Sequence, residues 1–329
     1  MSAEASAPPV DERSLLRRHA RDIIGAIVSL GALAAVVVWA LRQPAPEFPT
    51  AGGDIALLLV AVLVYALATL LRGWRWDRVL VDMQIGHRRG DAYSLVCVGY
   101  MGNNVLPARG GELLRVVLMA PRSQARRREL LGSIIAERLL DVVALGGLFA
   151  VMTLASVGGS PVGKLPAYLA LGGGAVAAVA LAVYIKLRRK GRFEKFAATV
   201  RPVARASKII GKPEGAVLIA VTAVVWALEG IVFALVGRSL GLDVDIVGGT
   251  FLVVLASFFA LIPAAPGYVG TFDSAVLFGL HALKVTGGSA VAFAVLVRFV
   301  MFVPITIAGL VLLMTRHGGL RQLRARGGS

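Results

Sequence analysis

Apolar residues recur in blocks along the chain, at about 23–41, 55–71, 92–106, 111–120, 130–157, 165–187, 215–237, 246–262, 268–283 and 289–314. Crossing a hydrocarbon core of about 30 Å takes roughly 20 helical residues. Six blocks meet or nearly meet that length: 23–41, 55–71, 130–157, 165–187, 215–237 and 289–314. The pairs 92–106/111–120 and 246–262/268–283 have shorter limbs, broken by Pro and Gly. Each pair is therefore expected to enter and leave by one face, as a re-entrant helical hairpin. Residues 23–157 read long, long, broken pair, long, and 165–314 repeat that order. Three crossings per half is odd, so the second half is expected to be inverted, a recurrent transporter arrangement. The expected fold is an all-α polytopic membrane protein. It has six long transmembrane helices and two re-entrant broken hairpins, 92–120 and 246–283, in inverted-topology repeats over 23–157 and 158–314. A plain ten-helix bundle is the alternative.

Charge supplies the orientation. With the N-terminus cytoplasmic, 27 of the 35 Lys and Arg fall in segments assigned inside. Four fall outside (Arg42, Lys164, Arg238, Lys284), and four lie within the apolar blocks or hairpins (Arg109, Arg115, Arg138, Arg298). That asymmetry follows the positive-inside rule. It makes the tails 1–22 and 315–329 cytoplasmic, together with a basic connector, 188–212, suited to the anionic inner leaflet. Trp74 and Trp76 beside Arg72 and Arg75 read as an interfacial belt. The expected location is the cell membrane, multi-pass.

Composition narrows the classes. Hydrophobic residues make up 57% and charged residues 16%, with mean hydropathy +0.78. Soluble domains carry roughly 25% charged residues, so a soluble domain is excluded. The net charge of +16 would suggest nucleic acid in a soluble protein. Here the basic residues sit between apolar runs, and no nucleic acid partner is expected. One cysteine, Cys97, excludes an intramolecular disulfide, and four scattered histidines leave no typical metal set. No metal or other cofactor is expected. Cleavable signal peptide, P-loop, HExxH and GxSxG patterns are absent, so no catalytic activity is expected.

The polar residues within the apolar blocks carry the candidate chemistry. The first hairpin turns through Asn103, Asn104, Pro107, Arg109, Gly110, Gly111 and Glu112, followed by Arg115. Pro107 interrupts the helix, and Gly110 and Gly111 free the backbone to turn. Amides opening the next helix, which is expected to begin at Glu112, would form an anion site reinforced by Arg109 and Arg115. The alternative is that Glu112 pairs with Arg109 or Arg115 to hold the turn. The second hairpin turns through Pro263, Pro266, Gly267 and Gly270, and Thr271 or Asp273 can cap the following helix. Glu137, Arg138 and Asp141 lie in one long block, Glu229 and Arg298 in two others. Each charge costs about 2.5–3.5 kcal/mol at a helix centre, so each should face the bundle interior. A Glu229–Arg298 pair would neutralise both; the alternative is that the acid titrates while the arginine holds phosphate.

Three runs together, GYMGNNVLPARGGELLRVVLMA (99–120), IIAERLLD (134–141) and LIPAAPGYVGTFD (261–273), resemble the lysylphosphatidylglycerol synthase transmembrane region, or flippase-like domain family. The resemblance covers about residues 20–315, and Asp273 stands where that family more often has glutamate. In fused members this region precedes a cytoplasmic synthase domain, and it is thought to flip the lipid to the outer leaflet. This sequence stops at Ser329 without that domain, so no synthase activity is expected. The resemblance implies movement of a lipid with a charged headgroup between leaflets. Candidates are an aminoacylated or anionic phospholipid, or a polyprenyl-phosphate-linked lipid. An integral-membrane transferase acting on a lipid-linked substrate is the alternative, as is a non-transporting accessory subunit. Membrane lipids are the expected partners, with a second copy of the chain or an envelope-lipid enzyme as further possibilities.

Overall fold

A computed structural model describes residues 31, 33–106, 109–156, 213–260 and 266–318, the side chains of 149–156 excepted. The expected helix 165–187, the connector 188–212, the tail 1–22, Pro107 and Pro263 lie outside the described residues. Every regular element among the described residues is helical. Residues 33–41 form a helix and are followed by α1 (Gly52–Asp82), α2 (Arg89–Val105), α3 (Gly110–Ser123) and α4 (Arg127–Ser156). After the undescribed stretch come α5 (Pro213–Ser239), α6 (Ile246–Phe259), a 3-10 turn (Pro266–Tyr268), α7 (Thr271–Ala282) and α8 (Gly287–Arg316).

The order long helix, broken pair, long helix thus occurs twice. Among the described residues, three helices, α1, α5 and α8, are long and apolar enough to cross a membrane. Their outward faces carry exposed Leu59, Leu63, Leu67 and Leu70 on α1, and Ile307, Leu310, Val311 and Met314 on α8. Such stripes suit lipid, which needs no polar covering. α4 matches them in length but carries Glu137, Arg138 and Asp141.

The block 55–71 is expected to give way to an interfacial belt at Arg72, Trp74, Arg75 and Trp76, but α1 runs on to Asp82. Nothing breaks the helix there, because Arg72, Arg75 and Trp76 turn inward and are buried. Trp76 is fully buried and donates to Ser133 Oγ on α4 at 3.0 Å, so it is no interfacial belt residue. Trp74 is half-buried under the Arg78 guanidinium.

Packing brings the two halves together. α1 lies along α5, α8 along α2, and each broken pair folds on itself. Arg72 meets Glu229 while Arg75 meets Thr222, so α1 and α5 run antiparallel. Arg72 lies ten residues before Asp82 (82 − 72), and Glu229 lies ten before Ser239 (239 − 229). Each is about 15 Å from the end of its helix, so the contact joins matching positions of two opposed helices. Within the first pair, α2 and α3 touch backbone to backbone. A Cβ on Gly102 would sit 2.6 Å from Gly111 Cα, so neither position admits a side chain. Around Phe233, Phe272 and Phe293, edge-on ring contacts knit α5, α7 and α8.

At the far end of α8, His317 is fully buried, with Nε2 3.0 Å from Ser94 Oγ on α2. Its Nδ1 has no protein partner. Burial pushes its imidazole below the usual histidine range, helped by Arg122 and Arg316 and opposed by Asp91. The folded protein therefore resists a proton that the unfolded chain accepts. Stability from this group is complete above the unfolded pKa of about 6.5 and is lost as pH falls through and below it. The thermal midpoint of detergent-solubilised protein is expected to drop by a few degrees between pH 7.5 and 5, and His317→Gln should flatten part of that slope. An unchanged slope in the variant would remove His317 as the cause.

Candidate functional site

The hairpin turns decide where the charges go. Arg109 adopts the left-handed conformation (φ 56°) as N-cap of α3, which starts at Gly110 rather than at Glu112. Glu112 occupies the third position of α3, and its Oε1 lies 2.6 Å from Arg138 Nη2 on α4. The second hairpin repeats this device. Gly270 is the N-cap of α7, and Asp273 holds the third position. Asp273 Oδ2 accepts from Gly270 N at 2.9 Å, and both its oxygens accept from Arg298 on α8 at 2.9 and 2.8 Å. An acid near the start of a helix also meets the positive end of the helix dipole. Each half thus ties the third residue of its second hairpin limb to the following long helix by a carboxylate–guanidinium pair.

Behind these lies a sealed layer. Arg72 Nη2 is 2.6 Å from Glu229 Oε1, and the Arg72 guanidinium lies over the rings of Tyr100 and Trp226. Arg75 donates to Asp141 Oδ1 at 2.6 Å, to Thr222 Oγ1 at 3.1 Å and to Glu137 Oε1 at 3.4 Å. Arg115 donates to Glu137 Oε2 at 2.6 Å and lies 4.0 Å over the Trp76 ring. Glu137 and Asp141 share one helix face, which lets Arg75 reach both.

The two tips meet. Arg109 donates to the Ala260 carbonyl at 2.7 Å and lies over the Tyr268 ring. Arg298 donates to the Gly267 carbonyl at 3.0 Å. Gly267 has φ 66°, and a Cβ there would sit 3.3 Å from the Asn104 carbonyl oxygen. Asn104 itself donates to Thr306 on α8 at 2.9 Å. Half-buried Asn103 lies against Gly111 at the opening of α3.

Exposure divides the cluster in two. The side chains of Arg109, Arg138 and Arg298 are 29%, 39% and 26% exposed, and Glu112 is 20% exposed. Arg72, Arg75, Arg115, Glu137 and Glu229 are buried. Only the first group can be touched by a ligand without rearrangement; the second is positioned to hold helices. Asp141 and Asp273 join the sealed side.

Two pairings differ from the sequence expectation. Glu229 and Arg298 do not pair: Glu229 takes Arg72, because α1 rather than α8 crosses α5 at that level, and Arg298 takes Asp273. Glu112 reaches Arg138, with Arg109 only 4.0 Å away, and Arg115 turns instead to Glu137. Arg72, Arg75, Thr222, Tyr268 and Trp76 were missed as participants. A usable signal existed for Arg72 and Glu229, since each directly precedes a glycine that packs on the next helix, Gly73 against Tyr93 and Gly230 against Thr250.

Removing Arg72 or Glu229 alone would leave one charge buried and uncompensated. Arg72→Met or Glu229→Met is expected to cost about 3–5 kcal/mol, with most of it recovered in the double variant. Thermal unfolding in detergent checks this, and additive losses in the double variant would contradict it.

A helical membrane chain with two facing broken pairs and a charged centre is a membrane protein of the kind built around an internal polar site. It belongs to the lysylphosphatidylglycerol synthase TM region family, which it matches over residues 23–309. It is similar to Glycosyltransferase AglD of Haloferax volcanii, 25% identical over 335 aligned positions covering 86% of this chain and 52% of that protein. The chain thus spans about half the length of that relative. It is also similar to UPF0104 membrane protein MJ1078 of Methanocaldococcus jannaschii, 22% identical over 64% of this chain and 92% of that protein. A shorter match, 29% identical over 27% of this chain and 28% of the relative, is to UPF0104 membrane protein PH1989 of Pyrococcus horikoshii.

Proposed function

We propose that this protein moves a lipid with a charged, phosphate-bearing headgroup between membrane leaflets. The observation that carries the reading is the half-exposed group Arg109, Arg138, Arg298 and Glu112 where the two broken pairs meet. Guanidinium groups bind phosphate oxygens through charge-assisted hydrogen bonds. Irregular backbone at membrane depth persists where protein or a wet cavity satisfies it. The antiparallel run of α1 and α5, joined at matching positions, supports inverted repeats whose hairpins approach from opposite faces. In this reading the headgroup passes along the half-exposed arginines while its acyl chains stay in the bilayer. The arginines attract phosphate, and Glu112 releases or recaptures Arg138 as the headgroup arrives or leaves. Deeper acids keep the helices in register. Without a nucleotide motif in this chain, any drive comes from an ion gradient or the movement is passive.

The likeness to a relative named a glycosyltransferase favours one second reading, a transferase that acts on a lipid-linked substrate. It also makes a polyprenyl-phosphate-linked lipid a candidate for the transport reading. Turnover of a labelled lipid-linked sugar donor by the purified chain would select the transferase.

Glu112, 4.0 Å from Arg109, keeps Arg138 at 2.6 Å as its partner, so loss of Arg109 should spare the fold. In proteoliposomes, Arg109→Gln is expected to slow leaflet exchange of the transported lipid about tenfold, with the thermal midpoint within a few degrees of wild type; one lost charge-assisted hydrogen bond of about 1.5–3 kcal/mol accounts for that. Full exchange by a folded Arg109→Gln protein would contradict the proposal.

A further inference from the structure

Arg138 differs from the sealed arginines in what surrounds it. On α4, Leu131, Ile135 and Val142 are exposed, and Arg138 falls in step with them, three residues after Ile135 and four before Val142. At 3.6 residues per turn these four positions share one face of the helix. A half-exposed guanidinium thus interrupts an exposed apolar strip. It sits eleven residues (138 − 127), or about 16 Å, from the start of α4. From behind, Glu112 on α3 holds it at 2.6 Å and Asp141 at 3.1 Å. Leu113, next to Glu112, is exposed as well, as are Val105 and Leu106 in the turn that leads to Arg109. Half-exposed charge and exposed apolar side chains therefore meet along the seam between α3 and α4.

The matching pair of the second half is more closely covered. Arg298 lies over the rings of Phe272 on α7 and Phe302 on α8, 5.4 and 4.8 Å from their centres, and the two rings meet edge-on. The exposed stripe of α8 runs through Phe299, Val303 and Ile307, and position 298 is turned away from it.

We infer that the seam between α3 and α4 is the entrance by which a lipid comes sideways out of the bilayer, with its hydrocarbon chain on the strip Leu131, Ile135 and Val142 beside Leu113. This rests on the transport reading and adds the surface that guides the chain. Charge on a lipid-facing strip is disfavoured unless a polar group meets it. A soluble anion would meet Arg138 and gain nothing from the apolar rim. A lipid brings phosphate to the guanidinium and a chain to the strip in one molecule. Bulk lipid tails are as apolar as the strip, so the chain holds its place because the headgroup on Arg138 tethers it there. Entry is by the first half, since Phe272 and Phe302 close over Arg298 in the second.

Leaflet exchange is measured in proteoliposomes of the full chain with labelled phosphatidylglycerol, lysylphosphatidylglycerol and a polyprenyl phosphohexose. The lipid that wild type exchanges fastest is then used for the variants. Ile135→Trp and Val142→Trp, which put a bulky ring on the strip, are expected to slow exchange about tenfold, and Val142→Leu to keep it near wild type. Leu63→Trp on α1 and Ile307→Trp on α8 add the same ring to other exposed faces, and exchange is expected to stay within about twofold. Thermal midpoints within a few degrees of wild type show that the variants fold. Equal slowing in all four tryptophan variants, or none in any, overturns the inference and leaves the transport reading standing. Photolabelling of wild type decides where a strip variant does not fold. A diazirine on the chain of the same lipid is expected to mark 131–142 above the α1 stripe through Leu63, and excess unlabelled lipid to suppress that mark. Even labelling of both helices overturns the inference. No exchange of any lipid by wild type that unfolds cooperatively overturns the transport reading and the inference with it.

Discussion

A charge inside a bilayer has to find its opposite, and the rest of this structure follows from that constraint. Eleven charged side chains unpaired at helix centres would cost on the order of 30 kcal/mol on the insertion scale. Folded proteins hold only about 5–15 kcal/mol in reserve. The helices are therefore arranged so that carboxylates and guanidinium groups meet. The Arg72–Glu229 pair does this at the crossing of α1 and α5, the most extensive contact between the two halves among the described residues. Arg75 fastens α1 to α4 and α5 together, and Arg115 brings α3 to Glu137, which Arg75 also reaches. Stability of the arrangement and placement of the arginines are one problem with one solution.

The halves share a device and differ where function is expected. In each, the acid at the third position of the second hairpin limb binds an arginine of the following helix: Glu112 with Arg138, Asp273 with Arg298. The N-cap differs. Gly270 fills it in the second half, while Arg109 fills it in the first, held in a left-handed conformation that glycine adopts at lower cost. Strain of this kind persists where surrounding structure enforces it and tends to mark working positions. Arg109 also bridges to the opposite tip through the Ala260 carbonyl and the Tyr268 ring. An anion that engages Arg109 competes with that bridge, which links headgroup binding to the contact between tips.

Much of this was legible in the sequence, and the limits have physical causes. Length and apolarity located α1, α5 and α8, and Pro and Gly located both turns, because backbone rules act locally. The end of α1 was misread because Arg72-Gly73-Trp74-Arg75-Trp76 has the composition of an interface. Only its partners on α4 and α5, more than 50 residues away, show that it is interior. Residues such as Glu137 and Arg138 could be identified as costly in a membrane. Which acid meets which arginine depends on helix crossing, and no spacing within one helix encodes that. The repeated acid–arginine pair was half visible, since Arg138 and Arg298 each lie in the long block that follows a broken pair.

If Arg109 at the hairpin apex holds a lipid headgroup, lipid retained by the purified protein depends on it. Native mass spectrometry of gently solubilised wild type and Arg109→Gln protein would weigh the lipids that stay bound. An anionic lipid is expected to be retained at about one per chain by wild type and lost from the variant, with neutral lipids unaffected. Equal retention of the anionic lipid by both proteins would mean that Arg109 does not hold the headgroup.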